Sequence, residues 1–275
     1  MTHARGFTVA AALLVLSLGA LEAAPRAPDD AAALTAERIE QFLLTAPVIA
    51  AVDLSKGVTK PRKLTLSDGT LTHDAVFQSI DDSKQLQRFS DGRVEPNFRD
   101  SYHFNIAAYR LAALLGLDHM VPVTVERTYE NRRGSLAWWI DWRWDDAMRE
   151  KENLRAPDGV DWSKQQSHMR VFSELVYDTD RNQGNLLITA DWKLWMVDFT
   201  RAFRMSHKLR RPENVQRCSR AVLERLRGLT EQQVAEATRP HLRPAEVKAV
   251  IKRRDRIVDR LTDLVKERGE EVVLY

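Results

Sequence analysis

Apolar side chains recur at Ala32, Ala36, Ile39 and Leu43 across residues 31–44, with Phe42 at their flank. That spacing makes one face of a helix, and Asp29 and Asp30 stand where its N-cap is needed. From residue 48 to residue 80 the texture changes to short β-type runs, VIAAVDL, KLTL and HDAVFQSI. Lys56-Gly57, Ser67-Asp68-Gly69 and Asp81-Asp82 punctuate them, which predicts a small antiparallel sheet. The polar stretch 82–100 carries no predicted element. Helical spacing returns over 101–115 at Phe104, Ala108, Leu111 and Leu115, and Gly116 supplies the stop. Residues 120–125 and 135–144 read as further strands, and 145–159 as a polar linker. The pattern is then helical over 162–176 and breaks at 178–184. Two short strands follow, 185–189 and 193–197, and then helices over 213–226, 231–238 and from Pro244 onward. In the last of these Val247, Val250, Ile257, Leu261 and Leu264 keep one apolar stripe. A mostly β first half and a mostly helical second half predict an α+β protein without internal repeats.

Composition narrows the class. The chain has 275 residues, 44% hydrophobic and 29% charged, with 11 Gly and 10 Pro, the profile of a globular protein with material for one large or two small domains. Lys and Arg number 42 against 39 Asp and Glu, and a net charge of +3 on so long a chain gives no argument for nucleic acid as partner. The lone Cys218 excludes an intramolecular disulfide and a thiolate zinc site. At the start, His3 and Arg5 precede the uncharged run FTVAAALLVLSLGAL and then small residues before Pro25. This is the layout of a signal peptide, too short for the roughly 20 apolar residues of a bilayer span. Cleavage after Ala20 or Ala23 would leave an exported chain, periplasmic or secreted, with no stable membrane span; an uncleaved leader would anchor it instead.

The densest set of polar functional groups lies between Tyr177 and Arg204, in YDTDRNQGNLLITADWKLWMVDFTRAFR. Asp180 and Asn185 flank a Gly-containing loop that leads into one strand, and a second strand delivers Asp198 at its end. Two antiparallel strands joined by a tight turn bring Asn185 and Asp198 together at the open end, with Asp180 nearby. A carboxylate and an amide oxygen there suit a hard cation such as Mg²⁺, which completes its shell with water and phosphate. The remaining carboxylate, Asp180, would orient or deprotonate a hydroxyl nucleophile.

The run Asp180-Arg181-Asn182-Gln183-Gly184-Asn185, followed by Met196-Val197-Asp198-Phe199, resembles the catalytic loop and metal-binding Asp-Phe-Gly of the protein-kinase-like superfamily, in its phosphatidylinositol 3-/4-kinase-like and secretory-pathway branch. The resemblance implies a bilobal fold with a β-rich N-lobe and a helical C-lobe. It implies Mg-ATP (or Mn²⁺) as cofactor, Asp180 as catalytic base, and Asn185 and Asp198 as metal ligands. The acceptor would be a hydroxyl on an unidentified protein, lipid or small molecule. On this reading residues 1–23 are a signal peptide, 24–47 a helical extension, 48–125 the N-lobe and 126–275 the C-lobe, with helix 101–115 bridging the lobes.

Departures from the pattern are specific. Asn182 stands where lipid kinases usually have His, and Thr200 replaces the glycine of Asp-Phe-Gly. In the N-lobe, Gln78 and Asn105 occupy the places of the nucleotide-binding lysine and its glutamate partner, so both charges are missing. Lys60, Lys63 or Lys84 would have to neutralise phosphate, and Gly57 would let a turn approach it. A catalytically inactive pseudokinase, serving as a nucleotide-dependent or structural interaction module, is the alternative that Gln78 and Asn105 favour.

Other features carry less. A calcium loop starting at Asp178 fails because its glycine is seventh rather than sixth and Thr189 stands where a bidentate glutamate is required. Trp138, Trp139, Trp142 and Trp144 are expected in the core. Lys252-Arg253-Arg254 is expected on a solvated face. Arg201 and Arg204, in the place of a kinase's substrate-binding segment, would meet an anionic substrate or pair with local acids. The histidines are scattered without metal-ligand spacing, and His168 is expected to be packed rather than catalytic.

Overall fold

Thr35 opens the first helix, α1 (Ala36–Thr45), by accepting a hydrogen bond from the Arg38 backbone N–H at 3.3 Å. The cap is therefore Thr35, because its hydroxyl satisfies a donor of the first turn. The caps expected at Asp29 and Asp30 lie outside the residues described by this computed structural model, which are 34–54, 61–88, 92 and 94–275. The leader, Gly57 and Lys60 lie outside them too. Ile39, Phe42 and Leu43 form the buried face of α1.

The β-type runs become β1 (Val48–Asp53), β2 (Arg62–Ser67) and β3 (Thr72–Gln78), paired antiparallel. Two strands from later in the chain complete the sheet, β6 (Thr124–Tyr129) and β7 (Arg132–Trp138), in the order β1-β2-β3-β7-β6. The sheet thus runs on past residue 125 to Trp138. The strand expected over 120–125 starts only at Thr124, and a two-residue turn at Glu130 and Asn131, both at positive φ (48° and 59°), joins β6 to β7. Such turns match the twist of a hairpin. Gly134 permits the close pairing of β7 with β3, since a Cβ there would lie 2.4 Å from the Gln78 carbonyl.

The polar stretch 82–100 is a two-stranded ribbon, β4 (Asp81–Arg88) against β5 (Val94–Ser101). Both faces of β4 are largely solvated, so it shows none of the alternation by which a half-buried strand is recognised. Helix α2 (His103–Leu115) follows and ends at Gly116, whose φ of 68° is the left-handed stop expected there. Most of α2 is buried because it packs on β6 and β7 on one side and on the helical half of the molecule on the other.

The segment 135–144 divides between two sheets: β7, and β8 (Trp142–Asp145), which joins β9 (Leu186–Thr189) and β10 (Leu194–Met196) in the order β10-β9-β8. The expected linker after it contains a short helix, α3 (Asp146–Lys151), capped by Asp145 accepting from the Met148 N–H at 2.8 Å. Helix α4 (Trp162–Leu175) matches its pattern. The tail forms α5 (Arg220–Gly228), α6 (Glu231–Thr238), α7 (Pro244–Arg268) and α8 (Glu270–Val273). One apolar cluster joins Leu111 and Leu115 of α2, Phe172 of α4, Phe199 and Leu261 of α7. Among the described residues no helix is long and apolar enough to cross a membrane.

Arg253 corrects the expectation of a solvated basic face. Its side chain is fully buried: Nε donates to the Leu175 carbonyl at 2.7 Å, and Nη1 to those of Arg204 and Ser206 at 2.8 and 2.6 Å. The end of α4 and the segment after β10 leave carbonyls without partners, and one guanidinium reaches three of them.

His168 lies on α4 with its ring 5.6 Å from that of Tyr275. Burial, and secondarily the neighbouring His119, pushes its pKa down to about 4. In the unfolded chain an imidazole takes its proton near pH 6.5. Between these values the unfolded state binds more protons, so this residue's contribution to stability is present above pH 6.5 and is lost as the pH falls towards 4. His168→Phe should therefore lose less of its thermal midpoint than wild type between pH 7 and pH 4.5, followed by circular dichroism. An identical decline in both proteins would refute this.

Candidate functional site

The hairpin β9–β10 positions the two expected metal ligands. Met196 pairs with Leu186, and one rung further the Val197 N–H donates to the Asn185 carbonyl at 3.1 Å, which sets Asn185 and Asp198 at the open end. The loop before β9 is anchored by Arg181, a residue whose role the sequence did not disclose. Its Nη1 donates to the carbonyls of Asn185 (2.9 Å) and Val197 (2.7 Å), and its Nη2 pairs with buried Asp178 at 2.5 Å. The guanidinium also lies 4.3 Å from the centre of the Phe199 ring. Two carbonyls, one carboxylate and one π face offset the cost of burying this cation.

Asp180 heads the loop. Its backbone carbonyl accepts from Asn185 Nδ2 at 3.0 Å, which leaves the Asn185 amide oxygen as the atom suited to a cation. Its carboxylate is 43% exposed and stands 3.6 Å from Arg201 Nη1, and Arg201 Nε pairs with Asp100 at 2.9 Å. Asp198 has a φ of 56°, an uncommon backbone conformation for a non-glycine residue. Thr200, in the glycine's place, donates its hydroxyl to Asp198 Oδ1 at 3.0 Å. Burial raises the Asp198 pKa, while the Thr200 hydrogen bonds and the Arg181 charge act to lower it.

Gln78 and Asn105 meet as the sequence implied. Asn105 Nδ2 donates to Gln78 Oε1 at 2.7 Å and to Ser135 Oγ at 3.0 Å, and Asn105 Oδ1 accepts from the Phe199 N–H at 2.7 Å. One amide therefore links the five-stranded sheet, α2 and the residue after Asp198.

Two cavities flank these groups. The first, about 380 Å³, is lined by Gln78, Asn105, Asn185 and Asp198 together with apolar side chains such as Val76, Trp139 and Met196, and no Lys or Arg among the described residues lines it. The second, about 530 Å³, lies against β5 and is lined by Asp180, Arg201, Arg204, Arg210, Tyr177 and Phe98.

Comparison with solved structures shows which fold this is. The structure of hydra Fam20 with sugar superposes with a TM-score of 0.63 at 14% identity, covering 87% of this chain and 91% of that one. The Golgi casein kinase with Mn/ADP bound gives 0.60 at 14% identity, over 87% of this chain and 78% of that one. A further Golgi casein kinase structure gives 0.60 at 13% over 90% and 78%. The fold is protein-kinase-like, similar to that of Fam20 and the Golgi casein kinase. No protein-family model and no curated protein sequence matches the chain.

In this kinase-like fold the candidates for a replacement cation stand apart. Lys63 pairs with Asp74 at 2.9 Å and lies 4.7 Å from the centre of the Trp139 ring, whose indole lines the first cavity. Lys84 is on β4, pairs with Asp82 at 3.1 Å and lines a separate depression beside Arg99, so it does not serve the first cavity. Gly57 and Lys60 are outside the described residues. Arg204 pairs with Glu95 of β5, and Arg201 pairs with Asp100 of β5 and with Asp180 of the loop before β9. Trp138 and Trp139 both line the first cavity; Trp138 is also packed between Phe42 and His73, while Trp144 packs on Trp192.

Proposed function

We propose that this chain is an exported phosphotransferase that takes ATP in the first cavity and passes its terminal phosphate to a hydroxyl presented in the second. The observation that carries this reading is the division of the three predicted residues: Asn185 and Asp198 line one cavity, Asp180 lines the other, and the Asn185–Asp180 hydrogen bond joins them. The part-buried carboxylate of Asp198 and the amide oxygen of Asn185 are hard donors, a set that fits Mg²⁺ or Mn²⁺. A bound cation would neutralise charge on the transferring phosphate.

Asp180 accepts the acceptor's proton as its hydroxyl oxygen bonds to the terminal phosphorus, the bond from that phosphorus to the bridging oxygen breaks, and ADP departs. Arg201 holds the Asp180 carboxylate towards the second cavity while remaining fixed to Asp100. The apolar walls of the first cavity suit a purine ring. Export rests on the leader's apolar run, and cleavage is tested by N-terminal sequencing of the mature chain.

A second reading is favoured by one observation, the absence of Lys or Arg from the described lining of the first cavity. A pseudokinase needs no phosphate neutralisation, and the Gln78–Asn105 pair would then serve assembly alone.

The deciding measurement is the thermal midpoint with ATP and Mg²⁺, beside Asp198→Ala. A ligand that binds only the folded state at 100 times its Kd stabilises by about 2.7 kcal/mol, roughly 5–10 °C for a chain of this size. The rise should need the metal and vanish in Asp198→Ala. A rise without phosphotransfer to any acceptor supports the pseudokinase, and no rise removes the nucleotide from both readings.

A further inference from the structure

Away from the hairpin, three residues from distant parts of the chain converge: His103 at the start of α2, Glu126 on β6 and His241 between α6 and α7. The two Nδ1 atoms are 2.9 Å apart, and Glu126 Oε2 lies 3.8 Å from the first and 3.9 Å from the second. A triangle with these edges has a circumscribed radius of about 2.1 Å, so one point lies at that distance from all three donors. Zinc takes imidazole nitrogen at about 2.0–2.1 Å and carboxylate oxygen at about 2.0–2.2 Å.

We propose that His103, Glu126 and His241 bind a single zinc-class divalent cation, with water as the fourth ligand. The donor set of two imidazoles and one carboxylate selects a borderline metal, whereas Asn185 and Asp198 present only oxygen. Surrounding groups orient the ligands. Arg133 engages Glu126 Oε1 and leaves Oε2 towards the imidazoles, and the Tyr102 hydroxyl donates to Oε2 at 3.3 Å. His103 presents its Nε2 to Asp81 at 3.9 Å, the outer carboxylate that ligating histidines commonly face. The ion would tie the five-stranded sheet, the first residue of α2 and the α6–α7 connection together, two residues from Asn105. This site is independent of the phosphotransferase reading and stands if that reading fails.

The test uses the full chain carrying Asp198→Ala, so that the hairpin acids do not compete. Titration with Zn²⁺ alone by calorimetry should show one equivalent, with His241→Gln and Glu126→Gln each weakening it about 100-fold or more. Zinc-edge X-ray absorption should report two imidazole nitrogens and oxygen donors at about 2.0–2.1 Å. Failure of the parent to take up micromolar Zn²⁺ overturns the site, as does undiminished uptake by a folded His241→Gln. Should the variants not fold, an absorption spectrum of the parent without imidazole scattering overturns it equally.

Discussion

Asp180→Asn should lower phosphotransfer about 10²- to 10⁴-fold, the usual contribution of a positioned base, while leaving the ATP-dependent rise in thermal midpoint intact. The separation is possible because Asn185 is held by the backbone carbonyl of Asp180 and not by its carboxylate. Replacing the carboxylate therefore leaves the amide oxygen of Asn185 in place. Arg201 loses a partner at 3.6 Å but keeps Asp100 at 2.9 Å, so its side chain stays put. The readout is ADP release, with water or the chain itself as acceptor where no other is known. An unchanged rate removes Asp180 from the chemistry, and a lost thermal shift would show that it supports the nucleotide cavity instead.

Arg253→Met should be the most damaging single change to stability, costing about 3–5 kcal/mol, because three carbonyls lose a charged donor in the dry interior. For a chain of this size that is a fall of about 10 °C or more in thermal midpoint. Arg253→Lys keeps a charge, yet one ammonium lacks the fork that reaches Leu175 on one side and Arg204 and Ser206 on the other. Its midpoint should fall between the two. Calorimetry on the three proteins checks the order, and a Met variant within about 1 kcal/mol of wild type would sink the assignment.

The parts of the molecule legible in the sequence are those where one face is buried or one residue type is obligatory. The 3.6-residue period of α2, its stop at Gly116 and the β9–β10 hairpin all appear where their patterns place them. The sequence pattern alone brings Asn185 and Asp198 to the same place because a hairpin has one open end. The β4–β5 ribbon was hidden because a strand solvated on both faces has no hydrophobic period. Arg181 and Arg253 were hidden for a different reason. Nothing local distinguishes an arginine that will be buried among carbonyls from one that will face water; that depends on backbone ends arriving from residues far away in the chain. The same holds for His103, Glu126 and His241, which no spacing rule connects.

Asn105 spans sheet, helix and hairpin through bonds to Gln78, Ser135 and the Phe199 N–H, all of them between uncharged groups. A buried ion pair in this position would dissolve when its acid took up a proton. An amide does not titrate. The joint between α2 and the Phe199 N–H is therefore made of bonds that no change of acidity removes.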